Sequence, residues 1–304
     1  MGDAVSLIKW THFDCDCTSR LRKESFILVN TICHTLLMNT ASIDHVINRL
    51  DAIMQDCLRE KIKAGYFTAL YHKVTCKVKE ALLKGEFENA ERMEKLDTIF
   101  AGRYIDAWEG WRAGKPISQS WAVAFGESKK SLTLVLQHMM LGVNAHINLD
   151  LGIAAAETCR GGDIHAMRRD FVRINAILNA VLLDVLKDLQ RVSPLSSLLG
   201  LHSRNQQSML INFTIEVARD GAWCFAEDLW HLPEEEWPAA IVERDKEIFG
   251  LGQNMAEAKG LLKLTAIAIR IFEWNNAAKV INTLRQGSKV KFHEVTTVAS
   301  TPAD

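Results

Sequence analysis

The sequence predicts an all-α protein, a single globular domain of eight to ten packed helices. Three observations carry this expectation. Apolar residues recur at three- and four-residue steps along most of the chain. No run alternates apolar and polar residues like a half-buried strand, and no two short runs are joined by a hairpin turn. The 304 residues include only five prolines and no Gly/Ser-rich linker, so nothing marks a domain boundary. With 48% hydrophobic residues, the chain has material for a sizeable core.

The first helix is read in "SIDHVINRLDAIMQDCLREKI", where Val46, Ile47, Leu50, Ile53, Met54 and Leu58 share a face. Ser42 or Asp44 is placed to cap it. "FTALYHKVTCKVKEALLKG" repeats the pattern and stops at Gly85. "NAERMEKLDTIFAGRYIDAWEGW" follows and ends in a loop around Gly114 and Pro116. Leu136 to Glu157 is apolar nearly all round, which predicts one central buried helix. "DFVRINAILNAVLLDVLKDLQRV" ends before Pro194, and "SMLINFTIEVARDGAWCFAEDLWHL" ends at Pro233. "WPAAIVERDKEIFGLG" and "LKLTAIAIRIFEWNNAAKVINTLRQG" complete the set. Residues 1–25 and 288–304 show no helical pattern and are expected to be irregular.

Composition excludes several function classes. A net charge of −1 with mixed signs and no basic stripe argues against nucleic-acid binding. No apolar run reaches the roughly 18 residues that suggest a membrane span. The N-terminus lacks a basic-then-apolar leader, and Cys15 and Cys17 have no second pair at zinc-finger spacing. Free thiols in a reducing, cytoplasmic setting are the expectation. No phosphate loop, dinucleotide glycine pattern, nucleophile elbow or H-E-x-x-H is present, so neither a cofactor nor a metal is expected.

The central helix contains the stretch that asks for a function, "LGVNAHINLDLG" from Leu141 to Gly152. Each residue advances a helix by about 100°, so His146 and Asp150 share one face while Asn144 and Asn148 share another. Buried polar groups without partners cost about 1–3 kcal/mol each. Each face must therefore meet polar groups of another helix or a cavity. A hydrogen-bonded clamp between helices and a proton-handling pair both satisfy the His146 and Asp150 face.

Other helices are interrupted in the same way. Asp97, Phe100, Tyr104, Trp108 and Trp111 fall on one side of their helix, and a carboxylate beside a phenol suits a pocket. Glu216, Arg219, Trp223, Glu227 and Trp230 form a stripe that mixes acid, base and indole. It fits a pocket wall as well as an internal ion pair. Asp170 and Arg173 lie one turn apart and could equally form a surface pair. His146, Asp150, Arg173 and Arg219 are the candidate catalytic residues. Asp97, Tyr104, Trp108, Glu216, Trp223 and Asp170 are the candidate substrate contacts.

"LGVNAHINLDL", preceded by "LDTIFAGRYIDAW" and followed by "RRDFVRINAIL" and "ARDGAWCFAEDLW", resembles a helical family of undefined biochemical function. Its members carry a leucine-rich run into G-[MIV]-N-A-H-I-N-x-D-L, and the likeness spans most of residues 42 to 232. In size and helical character the chain also resembles the hetero-Diels–Alderases of tropolonic sesquiterpene biosynthesis. That resemblance implies a cofactor-free cyclase or lyase. It would dehydrate a hydroxymethyl tropolone to a quinone methide and join it to a humulene-type alkene. The implied partner is a small apolar molecule with an oxygenated ring. His146 and Asp150 would handle protons, and Arg173 or Arg219 would hold ring oxygens. Two alternatives remain open: a metal-dependent hydrolase using His146 and Asp150, and a non-catalytic helical binding protein.

Overall fold

Ser42 opens the first helix by accepting the His45 N–H on its Oγ at 3.4 Å, and α1 runs Ile43–Glu60. The computed structural model describes residues 42–196, 204–257 and 260–286. The irregular segments expected at 1–25 and 288–304, with the Cys15 and Cys17 pair, lie outside them. α2 covers Gly65–Leu83, with Gly85 beyond it at φ +67°, where a glycine meets no steric penalty. α3 (Ala90–Arg112) is capped by Asn89, whose side chain accepts the Arg92 N–H at 2.9 Å. α4 (Gln119–Glu127) is a nine-residue helix, too short for its period to be read from sequence.

The central run is not one continuous α-helix. α5 (Val135–Ala145) passes into a π-turn at His146–Asp150, closed by the Leu151 N–H on the His146 carbonyl, and resumes as α6 (Leu151–Thr158). The expected span is right to within a residue at each end. The wider turn inside it was not legible, because a π-turn leaves the apolar pattern almost unchanged. Two apolar cores meet here. Val135, Met139, Leu141 and Ala145 belong to one, and Ile147, Leu149, Leu151 and Ile153 to the other. The polar residues of the stretch sit at that seam.

α7 (Arg168–Val192) and α8 (Arg204–His231) flank the second core. α9 (Trp237–Ala256) packs against α4 and α5. The last expected helix is two. α10 (Gly260–Phe272) and α11 (Ala277–Arg285) are separated at Asn276, whose side chain accepts the Lys279 N–H at 3.0 Å and so starts a new helix. The described residues thus contain eleven α-helices and no strand, one helix more than the expected range. The all-α class is as the sequence predicts.

Close approach of the helices depends on two glycines that bracket the central stretch. A Cβ on Gly142 would lie 2.4 Å from the Phe67 ring of α2. One on Gly152 would lie 2.8 Å from the Ala222 carbonyl of α8.

Candidate active site

The two polar faces of the central stretch have different surroundings. Asn144 donates from Nδ2 to the Ile248 carbonyl of α9 at 3.0 Å, and Asn148 donates to Asn144 Oδ1 at 3.0 Å. The Asn148 carbonyl accepts Arg244 Nε at 3.1 Å. This face is a clamp between helices.

The other face is a carboxylate–imidazole pair. His146 and Asp150 are both buried, and Nδ1 lies 3.4 Å from Oδ2. Asp150 is held from two further sides. The Trp121 indole N–H donates to Oδ2 at 2.8 Å, and Arg103 Nε donates to Oδ1 at 3.1 Å. With the carboxylate as acceptor, Nδ1 carries the imidazole proton, and Nε2 is left as a bare lone pair. Nε2 is buried and has no partner. Burial lowers the His146 pKa, against the opposing effect of Asp150, so the ring is neutral at pH 7. Its plane is fixed by Phe100, stacked 3.6 Å away, and by the edge of Tyr71 at 4.3 Å.

His146 forms part of the wall of a cavity of about 110 Å³. The wall is mostly aliphatic and aromatic, supplied by Phe67, Leu70, Tyr71 and Val74 of α2, Leu96 and Phe100 of α3, Met139 and Met140 of α5, and Leu178 and Val185 of α7. Leu70, Val74, Met140 and Leu178 are only half-buried. The polar lining residues are few: Tyr71, Asp97, His146 and Arg219. Burial, with a smaller contribution from Glu94, pushes the Asp97 carboxyl up to about 7. Burial and then the neighbouring Asp97 raise the Tyr71 phenol well above its ordinary range. Tyr71 Oη, Asp97 Oδ2 and His146 Nε2 are all buried without a hydrogen-bond partner. Tyr71, Asp97 and His146 line one apolar cavity, and each carries an orphaned buried polar atom, which is unusual, since buried polar groups are nearly always paired.

The remaining expected site residues separate from this cavity. Arg173 is exposed, and its Nη2 lies 3.2 Å from Glu86 Oε2, so it holds a surface pair. Asp170 is buried but caps α3: it accepts the Glu88 N–H at 2.7 Å and the Asn89 N–H at 3.0 Å, and pairs with Arg92 at 3.2 Å. Trp108 packs against both Trp111 and Phe125 in the first core. Tyr104 lies behind Phe67, its hydroxyl 2.7 Å from Thr68 Oγ1. Glu216 is exposed. Trp223 packs on Phe171 and under the Arg168 guanidinium, 4.8 Å from the ring. Helical spacing found the buried faces but could not say which of them a cavity adjoins. Tyr71, Arg103 and Trp121 were not singled out from sequence. The one available signal was that a buried Asp150 demands donors, without indicating which. Among the described residues, no three His, Cys, Asp or Glu side chains are grouped to hold a metal ion. No helix among them is long and apolar enough to cross a membrane.

Residues 43–258 match a family described as a family of unknown function, DUF5995. No curated protein and no solved structure matches the chain.

Proposed function

The chain belongs to the DUF5995 family of unknown function, and we propose from its site that it performs acid–base chemistry on a small, largely apolar molecule, as a cofactor-independent lyase or cyclase. The observation that supports this is that three residues lining one apolar cavity, Tyr71, Asp97 and His146, each carry an unpartnered buried polar atom. Their protonation states suit opposite tasks. His146 is a neutral base whose second nitrogen is anchored by Asp150. Asp97, pushed up to about 7, retains a proton to give near neutral pH.

The resemblance to hetero-Diels–Alderases supplies a specific form of this reading. Asp97 protonates the leaving hydroxyl of a hydroxymethyl tropolone, the exocyclic C–O bond breaks, and His146 Nε2 accepts the ring hydroxyl proton. One water leaves and a quinone methide remains. A humulene-type alkene then adds across the methide, forming one C–O and one C–C bond. A cavity of about 150 Å³ takes a benzene ring, so about 110 Å³ cannot enclose both partners, and the tropolone itself would extend past the half-buried side. The alkene would approach from the half-buried side, past Leu70, Val74 and Met140.

The test is turnover with a hydroxymethyl tropolone and humulene, followed by mass spectrometry. His146→Ala and Asp97→Asn are each expected to slow product formation about 10²–10⁴-fold per folded molecule. Unchanged rates in both variants would end the acid–base reading. Saturable binding of the ring with no product at all would favour the non-catalytic binding protein.

A further inference from the structure

Among the described residues Arg219 is the one cation on the cavity wall, and no carboxylate pairs with it there. It is 3% exposed. Two of its N–H groups go to neutral acceptors: Nε to Asn175 Oδ1 at 2.5 Å and Nη2 to the Phe171 carbonyl. The Phe171 ring lies under the guanidinium at 4.4 Å. Of the acids beside it in sequence, Asp220 offsets part of the cost of burial through space but forms no ion pair with it. Glu216, one turn earlier, is exposed, and Asp220 is exposed and paired with Arg168 at 3.3 Å. Burial accordingly lowers its pKa to about 9.

A buried charge normally carries a paired opposite charge, because desolvation is costly and neutral hydrogen bonds offset only part of it. Here the guanidinium is oriented by an amide, a carbonyl and a ring, and among the described residues no carboxylate is bonded to it. A guanidinium has five N–H donors in a planar fork that matches a carboxylate. Resting on the general reading of this cavity as the binding site of a small apolar molecule, and in place of its tropolone form, we infer that the ligand is a monocarboxylate with an apolar body, its carboxylate anchored by Arg219. Leu96, Ile174, Leu178 and Ile215 would take the body.

The probes are benzoate and hexanoate against benzyl alcohol and 1-hexanol, titrated calorimetrically at pH 7. Each acid is expected to bind about 10- to 100-fold more tightly than its matched alcohol, the range for a charge-assisted contact. Arg219→Gln is expected to erase that ratio, and Arg219→Lys to retain part of it. Should Arg219→Gln fail to fold, the acid-to-alcohol ratio of the unaltered protein and the Lys variant decide. Equal binding of acids and alcohols overturns the carboxylate anchor and leaves the cavity reading standing. Binding of neither series overturns the cavity reading and the anchor with it.

Discussion

The imidazole of His146 lies flat on the ring of Phe100, with centroids 3.6 Å apart and planes 8° from parallel. Stacking on that side and Tyr71 at the edge leave the imidazole no freedom to turn. Among the described residues, the only polar contact of the ring is the Asp150 carboxylate. The orientation of Nε2 is thus set by packing and by one hydrogen bond together.

The carboxylate itself depends on Trp121. Trp121→Phe keeps the ring and removes the indole donor, 2.8 Å from Oδ2. The expected cost is about 1–3 kcal/mol in urea unfolding, because a buried acceptor loses a partner. Loss of under about 0.5 kcal/mol would show that Arg103 and His146 satisfy Asp150 without the indole.

Stability should respond to pH through groups of opposite sign. His138, like His146, is buried; burial holds its pKa at about 3, against an ordinary 6.5. Its contribution is full above pH 6.5 and is lost as pH falls toward 3. Burial shifts His146 and His72 in the same direction. Asp97 is raised from 3.8 to about 7, so its contribution is present below about pH 4 and is lost as pH rises through 7. Asp97→Asn removes this opposing effect. Its stability should climb more steeply than that of the unaltered protein between pH 4 and 7, by up to about 1.4 kcal/mol per pH unit. Parallel curves in urea unfolding would contradict an Asp97 raised by burial.

Gly152→Ala tests the packing of α6 on α8. The new Cβ would meet a backbone oxygen at 2.8 Å and Phe225 Cδ1 at 2.9 Å, and the carbonyl cannot rotate away. The helices must separate, at about 1–3 kcal/mol by thermal or urea unfolding. A neutral or stabilising result would mean that the two helices are not so closely packed.

Asp170→Ala separates a cap from a ligand contact. It strips two backbone N–H groups and Arg92 of their acceptor. A loss of about 1–3 kcal/mol is expected, with the affinity for a cavity ligand unchanged in the folded fraction. A selective loss of binding would restore Asp170 to the substrate contacts.

The sequence by itself determined the helical class, most helix boundaries and the burial of the central run. These follow from local chemistry: three- and four-residue apolar steps, Ser42 and Asn89 as caps, and Gly85 at a stop. It also singled out His146, Asp150, Asp97 and Arg219 as polar residues on apolar faces. Only the tertiary structure decided what each of those faces meets. Arg103 and Trp121 reach Asp150 from 47 and 29 positions away, and α4 is too short to announce itself. Asp170 and Asp97 look alike in sequence, since each is an acid among apolar neighbours. One became a helix cap and the other a cavity acid because of which chain segment packs beside it. The π-turn belongs to the same class, as one widened turn leaves the apolar period intact and shows only in which carbonyl receives the Leu151 N–H.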